Sequence, residues 1–380
     1  MSAVTEDDRL ARLALSQLVE PADLRVGGLV GELGAVRLLE LLLDHQDVGG
    51  LQDEVRERVD VTDAARDLER ADRRGFRWVV PGDEEWPDGL DDLDFAEPLQ
   101  EMGRTPLGVW VRGPLRLHEL PVPVAIVGSR SSTTYGEQVA SELAAGLARS
   151  GSTVVSGAAF GIDQAAHRGA LAGDGPTVAV LACGVDRAYP TAHQALLDHL
   201  AAHGAVVAEV SPGCSPMRQR FLARNRIIAA LSGGTVVVEA AVRSGALNTA
   251  SWTSRLNRPL MGVPGPVTSA PSEGVHQLIR TGAATLVTRH DDVLELVGSM
   301  GEHLLELPSG PVRVRDRLNR RQQRVLEAVP LARPAPSDSI ARTAGLGVVE
   351  VRSALDGLAR RGLVDQMPTG WRLADGAADR

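Results

Sequence analysis

Lysine is absent from the 380 residues: the 40 basic side chains are all arginine. That absence excludes a Walker A phosphate loop, whose lysine has no counterpart here. It also excludes kinases that pair a phosphate with lysine, and Schiff-base or PLP enzymes. Any anion must be held by arginine, backbone N–H groups, hydroxyls or amides. Aromatics are scarce, with 5 Trp, 2 Tyr and 4 Phe. The core must rest on Ala, Val and Leu, and an aromatic placed among arginines calls for a reason. Cys183 and Cys214 are the sole cysteines. They are too few for a disulfide framework or a four-ligand zinc site, and they fit a reducing compartment. No apolar run approaches about 18 residues, so no transmembrane helix is predicted. The start from Met1 to Asp8 is acidic, unlike a signal peptide. The expectation is a cytoplasmic protein with no membrane partner.

The net charge of −9 conceals a gradient: −13 over residues 1–120, −1 over 121–310 and +5 over 311–380. The overall balance argues against nucleic acid. A local cluster matters more than the sum, because phosphate binding depends on the nearby field.

Residues 1–74 read as a small all-α domain. Leu10, Leu13, Ala14 and Leu18 have helical spacing, as do Leu38, Leu41 and Leu42, with Gly27-Gly28 read as a turn between short helices. Residues 75–300 carry the main domain. It opens with a connecting region bearing short strands at Phe76–Val80 and Leu107–Val111. Apolar runs then alternate with helical patterns: 124–127, 153–156, 177–182, 205–209, 235–239, 260–263 and 285–287. They are apolar on both faces, as buried parallel strands must be. The fold class predicted is α/β, a doubly wound, mostly parallel sheet that binds ligands at its carboxyl edge. Residues 301–318 read as a linker around Pro308-Ser309-Gly310-Pro311. Residues 319–376 read as three helices and a hairpin, a C-terminal winged-helix domain.

Three turns suggest an anion site. Gly128-Ser129-Arg130 follows the 124–127 strand and leads into a helix near Glu137. Backbone N–H groups at that helix start, hydroxyls and Arg130 suit a phosphate. An ordinary βα turn is the alternative. The G-x-G-x-x-G spacing is missing and no acidic residue ends the second strand, which disfavours a dinucleotide cofactor; no cofactor and no metal are expected. The second turn, Ser156-Gly157, leads to Asp163 and His167 at i,i+4. With no third ligand, these read as an Asp hydrogen-bonding a scaffold His. The third runs from Ala240 through Arg243, Ser244 and Gly245 to Ala250.

The strongest signal is Arg218-Gln219-Arg220-Phe221-Leu222-Ala223-Arg224-Asn225-Arg226, with four arginines, no acid and one of the few phenylalanines. Arginines that pair phosphates beside an aromatic that stacks a base describe a single-strand platform, the stacking worth roughly 1–3 kcal/mol per base.

Taken in order, several motifs resemble the DNA-processing protein A (DprA/Smf) family. They are Gly128-Ser129-Arg130, Ser156-Gly157…Gly161-Ile162-Asp163…Ala166-His167, Gly184-x-Asp186-x-x-Tyr189-Pro190, Phe221-x-x-Arg224-Asn225-Arg226-Ile227-Ile228, Ser244-Gly245 and Leu278-Ile279-x-x-Gly282-Ala283. The resemblance covers roughly residues 75–300, and the flanking domains match in kind. It departs at Ala208-Glu209, where Ser-Glu is usual, at Ala246, where a serine is usual, and at Ala230-Leu231-Ser232, where Gly-Leu-Ser follows Ile-Ile-Ala.

The resemblance implies an extended Rossmann-like domain after a SAM-like N-terminal domain. It implies a non-enzymatic binder of single-stranded DNA, a homodimer that loads the RecA recombinase in natural transformation. The residues carried over are Arg130 and Arg224-Asn225-Arg226, with Arg218 or Arg220 as the basic residue before Phe221. The dimer is expected through the helix bearing Val275, Leu278 and Ile279.

Two other classes remain open. Ser232-Gly233-Gly234-Thr235…Glu239 faintly resembles the signature of nucleotide phosphoribohydrolases, which would make Glu239 catalytic. The winged helix could read duplex DNA through Arg352, Arg360 and Arg361, or serve as a protein module through Leu355, Leu358 and Leu363.

Overall fold

Strands such as Val124–Val127 and Thr177–Leu181 bury every side chain, which only a sheet covered on both faces allows. In the computed structural model, which describes residues 4–59, 62–298 and 314–375, nine strands form that sheet. They are β1 (Phe76–Val79), β2 (Val109–Arg112), β3 (Val124–Val127), β4 (Val154–Ser156), β5 (Thr177–Leu181), β6 (Ala205–Ala208), β7 (Gly234–Val237), β8 (Leu260–Gly262) and β9 (Thr285–Leu286). Their order is β1-β2-β6-β5-β4-β3-β7-β8-β9. From β6 to β9 all pairings are parallel, while β1 and β2 add on antiparallel. The connecting region is thus part of the sheet, extending it beyond β6.

Period-two alternation sorts the strand side chains between two cores. Val124 and Ile126 face α6 (Thr134–Arg149), α7 (Ile162–Ala172) and α12 (His290–Val297), meeting Leu143, Ala166 and Val293. Ala125 and Val127 face the other layer, α9 (Arg218–Ala230), α10 (Ala246–Arg255) and α11 (Glu273–Arg280), with Ile227, Trp252 and Val275. The remaining sheet helix, α8 (Gln194–His203), covers β5 and β6 with Leu197 and Leu200.

Five N-terminal helices precede the sheet: α1 (Glu6–Leu18), α2 (Leu24–Leu33), α3 (Ala35–Leu43), α4 (Gln52–Val59) and α5 (Ala64–Asp72). They share a small core of Leu15, Leu18, Leu38, Leu42 and Leu51, and Leu13 and Ala71 join the core of Trp78 and Trp110 on β1 and β2. Gly27 and Gly28 are not a turn but lie inside α2. A Cβ at Gly27 would meet the Arg104 side chain at 2.6 Å, so the glycine serves close packing.

A second compact unit comprises α13 (Arg320–Ala328), α14 (Ser337–Ala344), α15 (Val348–Ala359) and the antiparallel pair β10 (Val364–Met367) and β11 (Gly370–Leu373). Ala335 bridges to Trp371, giving the element order expected of a winged helix. Leu355, Leu358 and Leu363 pack its own core, while Arg352, Arg360 and Arg361 are exposed. Most of the predicted linker lies outside the described residues.

Candidate nucleic-acid interface

The chain leaves β3 toward β4 and later returns to β3's other side as β7, so the strand order reverses there. Doubly wound sheets open a crevice at such a point, outside the carboxyl ends of the strands. Here the loops after β3 and β7, together with α9 and the start of α10, line a groove of roughly 1100 Å³.

The β3 loop is squeezed into place. A Cβ on Gly128 would run into Ile162 and the Glu239 carbonyl, and the Ser129 N–H donates to that carbonyl at 2.7 Å. The squeeze sets Ser129, Arg130 and Ser131 on the groove wall. The anion expected at the start of α6 is supplied by the chain itself. Both Glu239 oxygens accept from the N-cap residue Thr133, one from its hydroxyl at 2.6 Å and one from its N–H at 2.9 Å. Glu239 is therefore a buried bracket between β7 and α6, off the groove wall.

Helical geometry divides the arginine cluster. Arg218, Phe221, Arg224 and Asn225, spaced three and four apart, share the groove-facing side of α9. Arg220 and Arg226 do not line the groove. Arg220 forms a two-pronged ion pair with Glu20, just after α1, at 2.8 and 2.7 Å. Arg226 is fully buried and pairs with Glu209 at 2.6 Å. Neither partner is near in sequence.

Arg224 carries the electrostatic tension of the site. It is 6% exposed, and among the described residues its guanidinium has no hydrogen-bond partner. Its nearby acid is Asp163, itself buried. Burial pushes the Arg224 pKa down to about 10 despite Asp163's pull, leaving the side chain cationic at neutral pH. Burial likewise raises Asp163, outweighing Arg224 and the backbone N–H donors of Ala159 and Gly157. A buried cation short of partners is unfavourable until an anion arrives. Arg130, Arg218 and Arg243 stand exposed on the same groove, and among the described residues none of the three pairs with a carboxylate. The Arg130 guanidinium lies over the Phe221 ring, 4.6 Å from its centroid, and that of Arg224 is 5.9 Å away.

The remaining predicted residues fall into two groups. Ser156 is buried, its hydroxyl donating to the Ile126 carbonyl at 2.6 Å, and so fastens β4 to β3. Gly157 leaves the space Arg224 fills, since a Cβ there would fall onto the guanidinium. Ser244 and Gly245 do line the groove, at the start of α10. Asn225 ties α9 to that turn, its amide donating to the Asn248 side chain at 3.2 Å. The sequence places Arg243 and Asn248 in the third turn without singling either out as a site residue, because one arginine without neighbours makes no cluster.

Asp163 and His167 do not bond each other. Thr177's hydroxyl donates to the Val154 carbonyl and so accepts from His167 Nδ1–H at 2.8 Å. Burial holds His167 neutral, its pKa pushed down to about 3. Nor does α11 offer its apolar face outward. Val275 is fully buried against Gly262, which has no room for a side chain, and Leu278 and Ile279 are partly buried on the same core. Among the described residues no His, Cys, Asp and Glu cluster could hold a metal, and no helix is long and apolar enough to cross a membrane.

Fold and groove together define an extended Rossmann-like protein with an arginine-walled cleft at the switch point of its sheet. Its relatives agree. The DNA recombination-mediator protein A family model matches residues 77–298. The putative DNA processing protein DprA of Mycobacterium tuberculosis is 44% identical over 366 residues, 94% of this chain and 92% of the relative. The X-ray structure of DNA processing protein A from Streptococcus pneumoniae has a TM-score of 0.64 at 32% identity, covering 78% of this chain and 100% of that one. The Helicobacter pylori protein, described for its unique single-stranded DNA binding mode, has a TM-score of 0.50 at 28% identity, covering 58% of this chain and 94% of that one. This chain belongs to the DprA/Smf family of DNA recombination mediators.

Proposed function

We propose that the chain binds single-stranded DNA along the groove, without catalysing a reaction, and passes the strand to RecA as a homodimer during natural transformation. The observation that carries this reading is Arg224, buried and, among the described residues, without a hydrogen-bond partner, beside Phe221 at the centre of a wall with three further arginines that pair with no described carboxylate. Arginine's planar fork suits both phosphate pairing and stacking. Membership of a DNA recombination-mediator family and the single-stranded DNA binding of the Helicobacter pylori protein support it. Nothing in the groove favours the phosphoribohydrolase reading, because Glu239 is engaged by Thr133 away from the cleft. For the dimer, Val275 is fully buried and leaves no surface for a contact. Leu278 and Ile279 keep some open surface, beside the exposed edge strand β9 with Leu286 half-exposed.

One preparation tests all three parts. Labelled single-stranded oligonucleotides of different sequence are expected to bind alike and more tightly than the duplex. Light scattering is expected to give the mass of two chains, and RecA to assemble faster on a strand this protein has bound. Equal or stronger duplex binding contradicts the groove assignment. A single-chain mass at micromolar concentration contradicts the dimer, and unchanged RecA assembly contradicts the loading role.

A further inference from the structure

Phe221 offers less ring than its place among arginines suggests. Arg130 covers it at 4.6 Å, and the Tyr189 ring stands against it at 5.6 Å, tilted by 58°. More aromatic surface lies open beside it. Tyr189, on the loop after β5, is 44% exposed, and Phe160, on the loop after β4, is 47% exposed. Both loops leave the carboxyl edge of the sheet, and Tyr189 itself lines the groove.

The two rings stand on fixed supports. Phe160 packs edge-on to His193 at 4.7 Å, and His193 is buried with its Nδ1 bonded to the Ala158 carbonyl at 2.9 Å. His193 lies four residues after Tyr189, so it joins the two loops. A cation accompanies the rings. Arg187, two residues before Tyr189, is exposed, and among the described residues its side chain bonds only the Ser215 hydroxyl, at 3.0 Å. In a chain with 11 aromatics, two half-exposed rings next to an arginine-walled cleft are a concentration that folding does not require.

We propose that Tyr189 and Phe160, with Arg187, form a second nucleotide platform that continues the groove across the β5 and β4 loops. Its occupant is the next nucleotides of the strand held at Phe221 and Arg224, so the inference rests on the single-strand reading above. Every base has a π-face, so such a platform lengthens the bound track without selecting sequence. Arg187 supplies the phosphate contact that accompanies the stacked bases.

The test is a length series of oligothymidylates, from about 4 to 16 nucleotides, titrated against the wild type, Tyr189→Ala, Tyr189→Phe and the Tyr189→Ala/Phe160→Ala pair. Melting temperatures confirm that each variant is folded. The loss in the alanine variants is expected to be smallest for the shortest strands, which sit at Phe221 and Arg224. The longer ones are expected to bind the alanine variants roughly fivefold or more weakly, as loss of a stacking ring implies, while Tyr189→Phe follows the wild type. Alanine variants that track the wild type at every length overturn the platform but leave the groove standing. A wild type that binds no oligonucleotide overturns both.

Discussion

Arg224 and Arg226 lie two residues apart on α9 and act in opposite ways. Arg226 has Glu209 within 2.6 Å and is fully enclosed, so removing it leaves a buried carboxylate alone. Breaking such a pair costs about 3–5 kcal/mol. Among the described residues Arg224 has no hydrogen-bond partner and only Asp163 as a nearby acid, so removing it relieves one buried charge while leaving Asp163 without its counter-charge. We therefore expect Arg226→Ala to lower unfolding stability by about 3–5 kcal/mol and Arg224→Ala to lower it by clearly less. Single-strand affinity is expected to fall in Arg224→Ala. It should also fall in Gly157→Ala, whose new methyl group displaces the guanidinium. Chemical denaturation and oligonucleotide titration separate these outcomes, and equal destabilisation by the two arginine variants would contradict the division. The sequence marks both arginines as one cluster. What distinguishes them is which side of the helix each occupies, and Arg220's partner, Glu20, lies 200 residues away.

At the scale of elements, strands are the most legible feature. Runs such as Val-Ala-Ile-Val at 124–127 are apolar on both faces, and each predicted strand appears within two residues of its expected bounds. Glycine is less legible: Gly27 and Gly28 look like a break, yet α2 runs through both, and at Gly27 the missing side chain leaves room for Arg104. The i,i+4 spacing of Asp163 and His167 is equally opaque, since His167 turns to Thr177 on β5 and not to Asp163. That contact has a pH signature. His167 is neutral when folded, with its pKa pushed from 6.5 down to about 3, so the unfolded chain takes up the proton first. Stability should therefore fall as pH drops below about 6.5, by up to about 1.4 kcal/mol per pH unit from this group. His167→Asn keeps a donor for Thr177 and removes the titration. Thermal melts between pH 7 and pH 4.5 are expected to fall less steeply for the variant, and matching slopes would contradict the assignment.

At the scale of the whole molecule, a net charge of −9 coexists with a cationic cleft because the fold sorts its charges. Several arginines are neutralised where they stand: Arg9 by Asp83, Arg25 by Asp23 and Glu54, Arg77 by Glu85, Arg220 by Glu20. The N-terminal acids thus absorb arginine charge outside the groove, while Arg130, Arg218, Arg224 and Arg243, on one wall, form no ion pair among the described residues. A linear composition cannot display that sorting, which depends on pairs brought together by the sheet. The most direct test is the salt dependence of single-strand affinity. Four phosphates neutralised by these four arginines give a slope of log K against log salt of about −3, since each phosphate contributes roughly −0.7. The slope should be shallower by about 0.7 in Arg130→Ala and again in Arg224→Ala, and unchanged in Arg220→Ala, whose guanidinium belongs to Glu20. Slopes that do not move in the first two variants, or that flatten in the third, would contradict the groove as the seat of binding.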